Sequence, residues 1–194
     1  MAEKNLNTVR INAGEWRSRL LKFPDASGLR PTPERVRQTV FNWLGQDLAG
    51  QTCLDLFSGT GVMGFEALSR GATAATLVEK SLPAYKAILE NKQLLNAEYA
   101  HIIHQDALQF LSQNLDPNSA MSKQKFNLIF LDPPYNQAWL PKILPLLVAH
   151  LHKDGFVYVE AEYPINSTLD FAKNWHVIKQ SKAGNVFYHL LKLN

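Results

Sequence analysis

Residues 54–64 read LDLFSGTGVMG: an apolar run, then closely spaced glycines, then a helix-forming stretch. Gly59, Gly61 and Gly64 spell G-x-G-x-x-G, and Glu79 closes the next apolar run, twenty residues after Gly59. Few chain paths satisfy this pattern. The glycines permit a tight strand-to-helix turn and close backbone approach to a ligand, and an acid ending the next strand can hold two ribose hydroxyls. The stretch therefore points to a parallel strand–helix–strand unit with a nucleotide site at the strand carboxyl ends, the alternative being a glycine turn that only packs helix on strand. Taken alone it suits a dinucleotide as well as a nucleoside.

The rest of the chain extends that unit. TCLDLF is a strand, VMGFEALSR a helix ended by Gly71, and ATLVE a second strand. Ser81 and Pro83 open a helix whose apolar positions Tyr85, Ile88, Leu89 and Leu95 share a face. HIIHQD, FNLIFLD and FVYVEAE are the third, fourth and fifth strands, and residues 139–152 read as a helix carrying Pro141 and Pro145. WHVIKQ and NVFYHLLKL, around Ala183-Gly184, form a terminal hairpin that adds an antiparallel strand. At the other end, residues 9–23 read as a small hairpin around a glycine. Thr32-Pro33-Glu34 reads as an N-cap, a first-turn proline and an acid opening a helix with Val36, Val40, Phe41 and Leu44 on its apolar face. Strands alternating with helices predict an α/β fold, a mostly parallel sheet covered on both sides.

The fourth strand ends on Asp132, Pro133, Pro134 and Tyr135. Prolines cannot donate to a sheet ladder and each restricts the residue before it, so the strand stops at a stiff lip. Its position, on the same sheet edge as the glycine loop, gives the lip a chemical meaning. An amino group conjugated to a ring is a poor nucleophile, because its lone pair is delocalised. Acceptors on both N–H groups, here the Asp132 side chain and the Pro133 carbonyl, pull it toward a tetrahedral geometry, and a rigid backbone loses little in reorganisation. Tyr135 offers a flat face for an extruded base. Asp106, after the third strand, can accept from an adenine amino group, cap the following helix, or do both.

Charge adds a partner. The net charge is only +3, yet residues 1–40 hold eight Lys/Arg against four Asp/Glu. Arg10, Arg17, Arg19, Arg30, Arg35 and Arg37 all lie there, leaving Arg70 as the only arginine elsewhere. The planar arginine fork suits phosphate, which marks this segment as the candidate nucleic-acid contact; a solvated face is the alternative. The single cysteine, Cys53, sits in an apolar strand as a core residue and excludes an internal disulfide or a multi-cysteine zinc cluster. No metal site is expected. No run approaches the ~20 apolar residues of a membrane span, and MAEKNLNTVR lacks a signal-peptide core, so a cytoplasmic protein is expected.

LDLFSGTGVMG, Glu79, Asp106 and DPPY, in this order, resemble the class I S-adenosylmethionine-dependent methyltransferases that act on amino nitrogens. LRPTPERVRQTVFNWL (29–44), GFEALSRGA (64–72) and RINAGEWRSRLLKFP narrow the resemblance to the RsmD family, over nearly the whole chain. DPPY is shared with DNA adenine and cytosine methyltransferases, which stand as the alternative; the RPT-x-x-RVR block is the specific part. The resemblance implies a Rossmann-like, seven-stranded, mostly parallel sheet with a terminal antiparallel hairpin and helices on both faces. It implies a basic hairpin extension at 1–31 and a methyltransferase domain at 32–194. The activity implied is methyl transfer from S-adenosylmethionine to the N2 amino group of one guanine, position 966, of 16S ribosomal RNA in small-subunit particles, by a monomer.

The same resemblance carries over residue roles. Asp132, Pro133, Pro134 and Tyr135 become catalytic. Asp55, Phe57, Ser58, Gly59 and Gly61 hold the methionyl end of the cofactor, Glu79 beside Lys80 the ribose, and Asp106 with Ala107 the adenine. Arg30 and Thr32 lie near the cofactor or target base, and Arg10, Arg17, Arg19, Arg30 and Arg35 grip RNA. A non-catalytic descendant of the fold is the less favoured reading, since Asp132, Tyr135 and the glycines are all present. A dinucleotide oxidoreductase leaves DPPY unexplained.

Overall fold

The computed structural model describes residues 6–26, 29–115, 124–166 and 169–194. Strands β1 (Leu6–Arg10) and β2 (Leu20–Pro24) pair antiparallel as an N-terminal hairpin. There follow α1 (Glu34–Leu44), β3 (Thr52–Asp55), α2 (Val62–Ser69), β4 (Ala74–Glu79), α3 (Leu82–Leu95), β5 (Ala100–His104) and α4 (Ala107–Leu115). After these come β6 (Phe126–Leu131), α5 (Leu140–His150), β7 (Leu151–Ala161), β8 (Trp175–Ala183) and β9 (Val186–Leu193). The main sheet has seven strands in the order β5-β4-β3-β6-β7-β9-β8. The first five are mutually parallel, while β9 runs antiparallel between β7 and β8. This is the class I methyltransferase sheet with its antiparallel terminal hairpin. No helix among the described residues is long and apolar enough to cross a membrane.

Alternation along the strands makes two cores. Cys53, Leu128, Phe130 and Tyr158 face α1, α2 and α3, whereas Leu54, Ile129, Leu131, Val157 and Val159 face α4 and α5. Helix α2 is buried all round, because the sheet covers one side and the N-terminal segment the other. The exposed Pro145 does not break α5, since Leu140, Ile143, Leu144 and Leu147 seal its buried face. The expected helix at 139–152 is two residues shorter at its end, and β7 starts at once at Leu151. The extra length is absorbed by an irregularity between the Phe126–Leu151 and Leu128–Phe156 pairs.

Three readings from sequence need correction. Thr32 does not cap α1: Pro33 occupies the cap position without a side-chain cap bond, and Thr32 is buried. The buried face of α3 is Ala84, Ala87, Ile88, Asn91 and Leu95, while Tyr85 stacks on His104 at its margin. Arg37, counted with the basic segment, is 1% exposed and pairs with Glu66 of α2 at 3.0 Å.

The hairpin is anchored on several sides. Val9, Ile11, Leu21 and Phe23 enter the same apolar cluster as α1 and α2. Asn91 of α3 accepts from Lys22 N–H at 2.9 Å and donates to Lys22 C=O at 2.8 Å, as a neighbouring strand would. The turn after β1 lies against the end of α2 so closely that a Cβ on Gly14 would fall 1.7 Å from the Ser69 carbonyl oxygen. Gly14 also has φ +81°, so only glycine fits there.

Candidate active site

The carboxyl ends of β4, β3, β6 and β7 lie side by side, so the segments that follow them form one continuous edge. After β3 the chain turns through Leu56–Gly61 into α2. Gly59 and Gly61 have φ of +53° and +76°, the left-handed region that favours glycine. Ser58 Oγ donates to the Asp55 carbonyl at 2.8 Å, and Gly61 N–H donates to the Ser58 carbonyl at 2.6 Å. Asp55 is buried, and its Oδ2 accepts from Gly64 N–H at 3.1 Å. Burial pushes its carboxyl up to about 7, against the Gly64 hydrogen bond and with help from the nearby Glu79 charge.

Glu79 ends β4 and reaches across to the loop. Its Oε2 accepts from Gly59 N–H at 2.8 Å and its Oε1 from Ser81 N–H at 2.6 Å. Each oxygen keeps acceptor capacity for a hydroxyl. Asp106, after β5, accepts from Leu108 N–H at 3.0 Å, capping α4, and pairs with the exposed Lys80 at 3.1 Å. Partial burial works to raise this carboxyl, but the hydrogen bonds from Lys80 and the Leu108 N–H prevail and hold it below its ordinary range. Ala107 is buried beneath it. The Phe57 ring meets Trp139 edge to face at 5.3 Å, joining the glycine loop to the segment beyond the lip.

The lip follows β6. Pro133 is buried, Pro134 and Tyr135 are exposed, and Asp132 is half-buried between the β3 and β7 ends. Burial, then the charges of Glu160 and Asp55, push the Asp132 carboxyl well above the usual range. Just past the lip, Asn136 and Ala138 take φ of +60° and +50°. For alanine that conformation costs roughly 1–2 kcal/mol, and strain of this kind concentrates at functional segments. Asn136 N–H donates to Glu162 at 2.9 Å, which ties the segment to the end of β7.

Sequence reasoning missed Glu160. It is buried near the end of β7, one residue beyond the Leu131–Val159 pair, which sets it beside Asp132. Its carboxylate accepts from the Tyr158 hydroxyl at 2.9 Å; burial raises this carboxyl, and the hydroxyls of Tyr158, Thr32 and Tyr135 work against that rise. The available signal was an acid closing the apolar run FVYVEAE beside a second acid-ended strand. Thr32 is thus buried beside Glu160 at the carboxyl edge of the sheet. Arg10, Arg17, Arg19, Arg30 and Arg35 are all exposed, on the hairpin, the segment before α1 and its first turn.

The sequence and the fold both have relatives among known proteins. The family described as Conserved hypothetical protein 95 matches residues 9–192. Ribosomal RNA small subunit methyltransferase D of Escherichia coli strain K12 is 38% identical over 94% of this chain and 88% of its own length. The Haemophilus influenzae protein of that name is 37% identical over 94% and 92% respectively. The solved structure of the Escherichia coli protein yhhF superposes with a TM-score of 0.82, at 33% identity over 97% of this chain and 99% of that one. With the glycine loop, Glu79 and DPPY set on one edge of this sheet, the chain belongs to the RsmD family.

Proposed function

We propose that this protein transfers a methyl group from S-adenosylmethionine to the N2 amino group of one guanine of 16S ribosomal RNA, position 966, within small-subunit particles. The observation that carries this reading is the shared edge: a nucleoside-type loop with Glu79 stands beside an acid-Pro-Pro-aromatic lip, and the segment bearing Arg30 meets that loop where Leu29 packs against Gly59. The names of the relatives support ribosomal RNA as the substrate, and the RPT-x-x-RVR block supports the guanine-N2 target over a DNA base.

In this reading Asp55, Phe57, Ser58, Gly59 and Gly61 line the methionyl end, Glu79 beside Lys80 takes the ribose hydroxyls, and Asp106 with Ala107 takes the adenine. S-adenosylmethionine supplies, when bound, a methyl on a sulfonium whose sulfur keeps the S–C electron pair as the new N–C bond forms. The chain's own work is on the nucleophile. Asp132 and the Pro133 carbonyl accept hydrogen bonds from the two amino N–H groups and free the lone pair, and as the nitrogen gains the methyl it passes one proton to the Asp132 carboxylate and on to solvent. Acceptors preorganised where charge develops favour the transition state over the ground state. Tyr135 stacks on the extruded guanine. Arg30 and Thr32 lie near the cofactor or target base, Thr32 beside Glu160. The extension at 1–31 grips RNA, and the enzyme works in the cytoplasm as a monomer.

Mapping modified nucleosides in small-subunit RNA from cells with and without the gene tests the assignment. One N2-methylguanosine should disappear and return on complementation; loss of a different modification, or of none, would overturn it.

Two further results are expected. Glu79→Ala removes the ribose acceptor and releases the Gly59 N–H, so calorimetric affinity for S-adenosylmethionine should fall by about 1.5–3 kcal/mol, roughly 10- to 150-fold. Equal affinities would remove Glu79 from the cofactor site. Substituting Arg10, Arg17 and Arg19 together by Gln should weaken RNA binding and flatten its dependence on log salt by about 2, from roughly 0.7 per lost phosphate contact. Deleting residues 1–24 is the poorer test, since Val9, Ile11, Leu21 and Phe23 belong to the core. An unchanged slope would make this surface a solvated face.

A further inference from the structure

Glu160 is a buried acid that the reaction as written does not use. The Tyr158 hydroxyl on its own strand donates to it at 2.9 Å, and the hydroxyls of Tyr135 on the lip and Thr32 before α1 also favour its charge. A buried carboxylate with several donors is a structural anchor by default. Two features set this one apart. One of its donors is the exposed tyrosine proposed to stack on the target base, and its neighbour across the sheet is the proposed acceptor Asp132.

We propose that Glu160 is a positioning residue of the lip, holding Tyr135 and Thr32 to the end of β7 and setting, as a facing second carboxylate, the pH at which Asp132 becomes an acceptor. The inference rests on the catalytic reading of Asp132 given above. Two carboxylates side by side in a sheltered site do not both ionise readily, because each charge raises the cost of the other. The titratable groups facing the pair come from every neighbouring element. They are Tyr158 on β7, Tyr188 opposite Glu160 on β9, Tyr135 on the lip, Asp55 at the end of β3, and Glu162 past the end of β7. None of these neighbours is a cation, so nothing in the set relieves the repulsion. Burial raises both carboxyls, but the Tyr158, Thr32 and Tyr135 hydroxyls work against it at Glu160 alone, and Asp132 therefore carries the proton first.

The sign of the effect follows. An Asp132 that must be ionised to accept from the amino group gives an acid limb to the rate, and the charge on Glu160 moves that limb to higher pH. Glu160→Gln keeps the size and an acceptor oxygen but removes the charge. The acid limb of kcat should move down by about one pH unit, while kcat on the plateau falls several-fold with the loosened Tyr135. The KM for S-adenosylmethionine should stay unchanged, since no cofactor contact is touched.

The experiment measures pH profiles of methyl transfer to small subunits lacking the modification, for wild type, Glu160→Gln and Asp132→Ala, with thermal melts on each. A folded Glu160→Gln with the wild-type acid limb overturns the inference even if Asp132→Ala is inactive. An active Asp132→Ala overturns instead the reading beneath it. If Glu160→Gln fails to fold, carboxyl carbon-13 titration of the wild type decides. Two separated steps for Asp132 and Glu160, the higher on Asp132, support the pairing; independent titrations in the ordinary carboxylate range overturn it.

Discussion

Glu66→Ala should destabilise the folded protein by about 3–5 kcal/mol, the cost of leaving buried charge without its partner. Glu66 is fully buried in α2, and its carboxylate accepts from Asn12 N–H at 2.8 Å, Ala13 N–H at 3.1 Å, Arg37 at 3.0 Å, and Arg70 at 3.1 and 2.8 Å. Without it, two guanidinium groups face each other in the core and two backbone donors lose their acceptor. Burial already lowers the proton affinity of Arg37, and the Glu66 charge is what chiefly opposes that. Arg70 also lies over the Phe41 ring, 4.4 Å from its centroid, so the network joins α1, α2 and the turn after β1. The damage should therefore spread to the hairpin: amide exchange of residues 9–13 should accelerate more than that of β6. Urea denaturation reads the global term. A loss under about 1 kcal/mol would mean that the pair and its desolvation cost nearly cancel.

This network also shows where sequence reading runs out. The strand–glycine–helix unit, the parallel strands and the DPPY lip were legible because each is written locally, in a period, a turn residue or a proline. The terminal hairpin was legible for the same reason, and β9 does pair antiparallel with β7. Arg37 looked like part of a basic surface because its sequence neighbours are basic; its partner is in another helix. Thr32 looked like an N-cap because Ser, Thr, Asp and Asn before a proline and an acid usually are. It is buried instead near Glu160 on β7, which only the folded sheet brings close. Asn91 was hidden in an apolar helix face, since only tertiary packing sets it against Lys22. Each of these misses is a polar group satisfied by a distant partner, which neither periodicity nor propensity encodes. Glu160 is the one on which the proposed positioning of the lip depends.

Asp132→Ala should lower methyl transfer by about 100- to 1000-fold, the roughly 2.7–4 kcal/mol that a preorganised group contributes when it acts in the transition state. Cofactor affinity should change little, because Asp132 stands on the lip and not among the glycine-loop contacts. Tyr135→Ala separates stacking from polarisation: it should weaken target binding as well as rate, by about 1–3 kcal/mol. Tyr135→Phe keeps the ring and should remain substantially active, losing only the bond to Glu160. The decisive measurement is tritiated methyl transfer to small ribosomal subunits lacking the modification, by Asp132→Ala shown folded by its melting curve and cofactor-competent by calorimetry. A fall of at least 100-fold with cofactor binding intact is the result this account predicts. Transfer at the wild-type rate would contradict it and reduce DPPY to the end of a strand.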